Sequence, residues 1–374
     1  EARDHVTAVT GDSEPWDRFI ENPLGNTIER LFQNDVVRGV VLTDGLIGTF
    51  ASNNDPNLDA NKCFLYHVIG GGTGDWDVPI GGMGAVSGAL VQAARDAGAT
   101  LISGASVTAI SENKEVTYTQ HGESHTIAAR YVLVNAAPRE LDAMRGRPAQ
   151  GPAPEGAQVK VNMVLKRLPK LKDASLSPEA AFGGTFHINE TWSQLHSGFD
   201  AAEAGSLPDP LPCEIYCHSL TDPSILSPEL QESGAHTLTV FGLHAPHRLA
   251  QTRDNDALRR ELQDAVVASL NSVLAEPLED VLMRDAHGQL CIETKTTQDL
   301  EEALGLPGGN IFHGPLEWPF VEDDADLNTP EQRWGVATVD EGILLCGSGA
   351  RRGGAVSGIA GHNAAMAVLE REGR

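Results

Sequence analysis

Gly342-Ile-Leu-Leu-Cys-Gly-Ser-Gly-Ala-Arg-Arg-Gly-Gly-Ala-Val-Ser-Gly-Ile-Ala-Gly361 carries three kinds of structure in one short run. Residues 342–346 form a short apolar strand. Residues 347–355 form a glycine loop. A helix follows from about 356, with Val356, Ile359, Ala364 and Val368 at helical spacing. Strand, glycine loop and helix in that order expose backbone N–H groups and a helix N-terminus to an anion. Glycine lets the main chain approach a pyrophosphate or a ring system without a Cβ in the way. Arg351 and Arg352 add positive charge to an otherwise acidic chain. We read the segment as a dinucleotide-cofactor contact. The same glycines would also serve two elements that pack closely, so the loop alone leaves both readings open.

Similar α/β grammar lies upstream. Val86, Leu90, Ala94 and Ala97 recur at helical spacing, and Gly98 stops the helix. Residues 101–103 and 106–110 are short strands hinged at Gly104. Residues 116–119 and 125–128 pair as a hairpin across His121-Gly122. A buried-type strand, 131–134, runs into Asn135-Ala-Ala-Pro138. Residues 145–156 are rich in Pro, Gly and Ala and read as a linker. Beyond it come strands at 159–165, 182–188, 213–219 and 236–243. A long amphipathic helix carries Leu258, Leu262, Val266, Leu270 and Val273, and Pro307-Gly-Gly-Asn310 is a turn. Residues 1–66 are irregular: Asn26 caps a helix through Ile28, Leu31 and Val36, Asp44-Gly45 turns, and 53–61 is loop. The fold class is α/β plus α+β, an incomplete Rossmann-like domain with a mixed-sheet substrate domain. The expected boundaries are 80–145 and 335–374 for a discontinuous cofactor domain, and 1–79 and 151–334 for a substrate or cap domain.

Charge removes some functions. Asp and Glu outnumber Lys and Arg by 52 to 27, and a net charge of -25 repels phosphate backbones and anionic lipid, so nucleic acid is not a partner. The densest acidic patch, Glu322, Asp323, Asp324 and Asp326, reads as a solvated loop. No apolar run is long enough to span a membrane, and no basic, apolar leader is present. The five cysteines are odd in number and scattered, which suits a reducing, cytoplasmic compartment and not a disulfide framework. Cys213, Cys217 and His218 sit in a strand-like segment with no second ligand pair at finger spacing, so no metal site is expected.

A second glycine run, Gly70-Gly-Gly-Thr-Gly74, is followed by Asp75-Trp-Asp-Val-Pro79 and not by a helix. It fails the context of both the Rossmann fingerprint and the P-loop.

Four motifs together are specific. Asp77-Val-Pro-Ile-Gly-Gly-Met-Gly84, with the helix ending at Ala97-Gly98-Ala99 and Gly104-Ala-Ser-Val107-Thr-Ala-Ile110, resembles the phytoene dehydrogenase-like flavoproteins. The run Leu345 to Ala365 is similar to their C-terminal flavin motif. His67-Val-Ile-Gly-Gly-Gly-Thr-Gly74 and Gly309-Asn-Ile-Phe-His-Gly314 narrow the resemblance to the pyridine nucleotide-disulfide oxidoreductase domain-containing 2 subgroup. The resemblance covers essentially the whole chain and implies FAD bound in the fold shared with amine oxidases. It implies that the Val107 backbone meets the adenine and that Asn135, Ala136 and Pro138 form the strand end beside the cofactor. Gly347, Ser348 and Gly349 match the pyrophosphate and ribityl contacts. Gly354, Ala355, Val356 and Gly358 match the helix start under the flavin pyrimidine edge, with Arg351, Arg352 and Gly353 in the same loop. The family opens with a glycine-bearing βαβ unit that this chain lacks, and the first residue is Glu1. The expectation is therefore an N-terminally truncated sequence; a separate complementing chain and a true loss of flavin binding are the alternatives.

The implied activity is that of an FAD-dependent oxidoreductase, dehydrogenase- or desaturase-like, on an apolar small molecule. Its protein would position substrate and tune the flavin. His67 and His313 are the candidate bases, because imidazole titrates near neutrality. Trp318 and Phe320 suit an apolar ligand and suit a core equally. Two further readings stay open: a non-catalytic binding or regulatory protein of the same fold, and a flavin-dependent isomerase. A homo-oligomer or the complementing N-terminal chain would be the protein partners.

Overall fold

Alternation of side chains sets the largest sheet. The computed structural model describes residues 1–69, 78–151, 153–321, 324–352 and 358–374. Its strands are β1 (Ala105–Ile110), β2 (Glu115–Gln120), β3 (Glu123–Ala128), β4 (Val132–Val134), β5 (Gln158–Leu165), β6 (Phe186–Ile188), β7 (Cys213–Tyr216), β8 (His236–Leu243), β9 (Ile292–Lys295) and β10 (Ile343–Leu345). The chain divides into two compact units: 1–17, 100–155 and 300–374 form the first, and 18–99 and 156–299 form the second.

The second unit is built on an antiparallel sheet in the order β6-β7-β8-β5-β9. Val159, Val161, Met163 and Leu165 of β5 are buried on one face, and β8 and β7 add Leu238, Val240, Cys213 and Ile215 to the same core. The helix Asn255–Val273 lays Leu258, Leu262, Val266 and Leu270 on that face. Asp254 starts it by accepting from the Ala257 N–H at 2.8 Å. Period 2 on the strand meets period 3.6 on the helix, as the residues require.

Several elements near the second unit's edges differ from expectation. The single helix expected from Asn26 through Val36 is two, Leu24–Leu31 and Asp35–Thr43. Asn34 separates them, because its side chain accepts from the Val36 and Val37 N–H groups and begins a new helix. The expected 53–61 loop ends early. The Asp55 carboxylate accepts from Asp59 N–H at 2.7 Å and opens the helix Asp59–Ile69. The expected 182–188 strand splits into the helix Pro178–Phe182, capped by Ser177, and the short β6.

The first unit holds a meander, β1-β2-β3, and a parallel pair, β4 with β10. Ile110, Val134, Leu141 and Ile343 share one small core. The helix Ile359–Arg371 sets Ala360, Ala364 and Ala367 against Leu344 and Val336. It begins after Gly358, which is left-handed at φ 72°, three residues later than expected.

The unit boundaries also fall elsewhere than the sequence suggests. The helix Gly82–Asp96, assigned by its pattern to the cofactor domain, groups with the second unit. The Gly81 N–H anchors its start by donating to the Asp222 carboxylate at 2.6 Å. None of this helix's residues is buried, and Leu90 of the expected core stripe is 67% exposed. Residues 300–334 group with the first unit, where Asn310 Nδ2 donates to the Glu155 carbonyl at 3.2 Å and Arg352 Nε to that of Pro319 at 2.8 Å. Among the described residues no helix is long and apolar enough to cross a membrane, and all five cysteines are free.

Candidate functional site

Parallel pairing brings two chain segments out at the same end of a sheet. In the first unit β4 runs into Asn135 and β10 into Gly347, and the Cys346 N–H ties them by donating to the Val134 carbonyl at 2.9 Å. Pro138 then opens the helix Pro138–Met144, at a position where its missing N–H costs nothing. The carboxyl ends of parallel strands are where open α/β sheets form ligand crevices.

The glycine loop is pressed onto the strand end. A Cβ on Gly347 would lie 2.1 Å from Asn135 Oδ1 and 2.6 Å from the Asn135 carbonyl oxygen. One on Gly349 would lie 2.4 Å from Pro138 Cδ. Both glycines are therefore demanded by the approach of two protein segments, the packing reading that the sequence left open. The loop turns directly afterwards, with the Ala350 N–H donating to the Gly347 carbonyl at 3.0 Å. Asn135, Ala136, Pro138, Gly347, Ser348 and Gly349, separated by some two hundred positions in the chain, thus meet in one place.

His313 joins them. The position of a Cβ on Gly349 lies 3.6 Å from that of His313. His313 is held at φ 66°, unusual for a residue with a side chain, and its N–H donates to the Asn310 carbonyl at 3.0 Å. Asn310 in turn accepts from Phe312 N–H through Oδ1 at 2.8 Å. The His313 Nδ1 atom is buried without a hydrogen-bond partner among the described residues. Burial holds this imidazole below its ordinary range, so it is neutral at pH 7.

The remaining predicted residues are placed as follows. Val107 is on β1, 44% exposed, beside a slip in the β1–β2 register between Val107 and Ala109. Arg351 pairs with Glu317 at 3.0 Å, and its N–H donates to the Gly335 carbonyl. Arg352 donates to the carbonyls of Pro319 and Arg333. Both guanidinium groups thus fasten neighbouring segments to the loop. Trp318 and Phe320, expected in the substrate domain, are in the first unit and stack at 5.7 Å, with Trp16 5.0 Å from Phe320. Gly353, Gly354, Ala355 and Val356, and the glycine run at 70–74, lie outside the described residues.

His67 belongs to the second unit, on the helix Asp59–Ile69. Its Nδ1 lies 2.8 Å from the Asp44 carbonyl oxygen and 3.0 Å from that of Cys63, which fixes Nδ1 as the protonated nitrogen. Burial pushes the Asp44 carboxyl up, while His67 and His187 pull it back. Sequence reading passed over His187 and two buried acids of the same unit, Glu190 and Glu214. The signal was an acid inside the apolar run Cys213-Glu-Ile-Tyr216, which was weighed for its cysteines instead.

No protein-family model matches the chain. An uncharacterized protein of Mycobacterium tuberculosis is 57% identical over 357 residues, which cover 95% of this chain and 66% of that protein. The rat protein named pyridine nucleotide-disulfide oxidoreductase domain-containing protein 2 is 30% identical over 381 residues, covering 93% of this chain and 60% of that one. The chain thus spans from 60% to 66% of the length of these relatives. Among solved structures, an oxidoreductase from Methanosarcina mazei superposes with a TM-score of 0.54 at 13% identity, covering 100% of this chain and 72% of that one. The chain shares its fold with an oxidoreductase. A relative matched over 93% of this chain bears the subgroup name read from the motifs.

Proposed function

We propose that this chain serves an FAD-dependent oxidoreductase, of dehydrogenase or desaturase type, acting on an apolar small molecule. The observation that carries the reading is the junction of β4 and β10. Two parallel strand ends, a glycine loop and a buried histidine nitrogen without a partner among the described residues converge there. An orphaned buried acceptor beside a glycine loop is costly in a closed core and is accounted for by a ligand. FAD, when bound, supplies the hydride acceptor.

The residues would divide the work. Val107 would offer backbone to the adenine. Asn135, Ala136 and Pro138 would form one wall. Gly347, Ser348 and Gly349 would line the pyrophosphate and ribityl chain, and Gly353, Gly354, Ala355, Val356 and Gly358 the pyrimidine edge. Arg351 and Arg352 would hold that loop in shape through their carbonyl contacts. His313, neutral at pH 7, would take a proton at Nδ1. His67 would be the second candidate base.

Purified protein tests the reading. Flavin absorption in the preparation, or quenching of FAD fluorescence on titration with the colourless chain, is expected. A chain that neither carries nor takes up FAD would overturn it in favour of a binding or regulatory protein of the same fold. Flavin that is bound but never reduced by any substrate, while a double bond migrates, would favour the isomerase.

A further inference from the structure

The polar face of the large sheet contains a second centre, within the second unit alone. Cys213 and Ile215 of β7 point into the core, so alternation turns Glu214 and Tyr216 to the other face. β6 pairs with β7 so that His187 stands directly opposite Glu214. Glu190 comes from the corner just after β6. That corner is firmly built. Asn189, at φ 59°, donates through Nδ2 to Ser269 Oγ at 3.1 Å and to the Leu211 carbonyl at 3.2 Å. Thr191 then caps the helix Trp192–Glu203 in a reciprocal capping box with Gln194. Gly39 of the helix Asp35–Thr43 closes over the corner, and a Cβ there would lie 1.9 Å from the Glu190 carbonyl oxygen.

Three ligand-bearing groups result. His187, Glu190 and Glu214 each offer one atom, and these atoms lie within 4.8 Å of one another. Glu190 is 3% and Glu214 2% exposed. His187 Nδ1 and Glu190 Oε2 share a proton at 2.6 Å, and the Tyr216 hydroxyl donates to Glu214 Oε1. Glu190 Oε1 and Glu214 Oε2 have no partner among the described residues, although each is buried. A buried carboxyl oxygen left unsatisfied is costly to the fold unless a ligand takes it up. The groups that act on Glu214 include two further acids, Glu190 and Asp44, against one imidazole, His187. The centre therefore combines three closely spaced donors, two buried carboxyl oxygens without a partner among the described residues, and a rigid frame.

We propose that His187, Glu190 and Glu214 form a binding site for one divalent first-row transition-metal ion of the Zn2+ or Mn2+ class. One nitrogen and two carboxylate oxygens are donors that such ions accept, whereas Ca2+ and Mg2+ ask for six or more oxygens. Bonds of about 2.1 Å to a tetrahedral ion draw ligand atoms to about 3.4 Å apart, a closure that side-chain rotation supplies. Tyr216 holds Oε1 of Glu214 and so turns Oε2 inward, the supporting role usual for a group one bond behind a ligand. Binding replaces the proton shared by His187 and Glu190, so the ion enters as a proton leaves. The site stands apart from the flavin reading, since none of its three residues is among those assigned to the flavin or its bases.

The test is metal content and thermal stability of the whole chain. After exhaustive chelation the chain is loaded with ZnCl2 or MnCl2, passed through a desalting column and analysed by plasma mass spectrometry. One equivalent of metal per chain is expected, with a Tm raised by several degrees. Glu190→Gln and Glu214→Gln should each lose that equivalent and the Tm response. Each metal-free variant should be at least as stable as the metal-free parent, because a neutral amide of the same shape replaces a buried acid. Titration calorimetry in two buffers of different ionisation enthalpy should report proton release, and this needs no variant. No retained ion and no Tm response in the parent would overturn the proposal and leave a proton-sharing core. Retention of the same equivalent in both variants would overturn it equally, by placing the ion elsewhere.

Discussion

Gly349 rests on Pro138 so closely that a single added carbon would sit 2.4 Å from the proline Cδ. Neither partner is free to retreat. Pro138 is fixed as the first residue of a helix, and the loop behind Gly349 is tied by Arg351 and Arg352. Gly349→Ala and Gly347→Ala should each lower stability by roughly 1–3 kcal/mol, the usual cost of overpacking. Gly361→Ala is the control. It lies in the helix Ile359–Arg371, and its added carbon would meet the nearest atom at an ordinary 3.8 Å. There the lower chain entropy of alanine should raise stability by about 0.5–1 kcal/mol. Chemical denaturation reads all three, and equal signs for Gly349 and Gly361 would contradict the packing account.

Arg145, Asp340 and Arg147 pin the start of β10 to the helix Pro138–Met144. Arg145 grips Asp340 with two nitrogens, at 2.8 and 3.2 Å, and Arg147 adds a third bond at 2.7 Å. The Arg145 and Asp340 side chains are only 6% and 17% exposed. The two guanidinium groups hold the Asp340 carboxyl below its usual range. Its stabilising contribution is present above the unfolded value of 3.8 and fades as pH falls through the lower folded value. Asp340→Asn should cost on the order of 2 kcal/mol at pH 7 and much less at pH 3, as read by urea denaturation at the two pH values.

His244 gives the opposite kind of pH dependence. It is buried, packed edge-on to Phe50 and Phe199, with Nε2 unpartnered among the described residues. Burial pushes its imidazole down from 6.5 to about 4. Between those values the unfolded chain binds a proton that the folded chain refuses. Stability should therefore fall as pH is lowered from 6.5 towards 4, by up to about 3 kcal/mol from this group. His244→Asn, which tolerates the left-handed backbone at φ 58°, should flatten that slope between pH 7 and 5. An unchanged slope would remove His244 as its source.

His313→Asn tests the base assigned to the flavin site. The variant keeps the left-handed backbone and should retain the parent's FAD content, while the rate of substrate-driven flavin reduction drops roughly 100- to 10,000-fold. The parent rate should fall at acid pH through a value below the ordinary histidine range, since burial lowers this imidazole. A variant that reduces flavin at the parental rate would assign the proton transfer elsewhere, with His67 as the next candidate.

The sequence was legible where one period dominates. Val159 to Leu165 and Leu258 to Val273 announce a strand and a helix by spacing, and both stand where expected. The 342–346 strand and the glycine loop were equally plain. What escaped depended on side chains that answer the backbone locally. Asn34 breaks one helix into two, and Asp55 begins another inside an expected loop. The helix Gly82–Asp96 misled in a different way. Its apolar stripe is present in the sequence, yet none of its residues is buried and its start is tied to Asp222 of the second unit. In the site, the glycines were visible as glycines. That their vacancy is filled by Asn135 and Pro138 was not, because those contacts span most of the chain. His187, Glu190 and Glu214 were hidden for the same reason: strand register, and not spacing, brings them together.

The parallel pair has a consequence for the order of events during synthesis. β4 is made early, but its partner β10 lies beyond the whole of the second unit. All residues of the second unit precede residue 300, so its sheet can close while the tail is still being translated. β4 must wait with a bare edge, and long-range parallel pairing is slow to form once its partner arrives. Leu133, 45% exposed even in the folded chain, marks that edge. The first unit is thus the last to assemble, and the interval before β10 arrives is when the nascent chain depends most on chaperones.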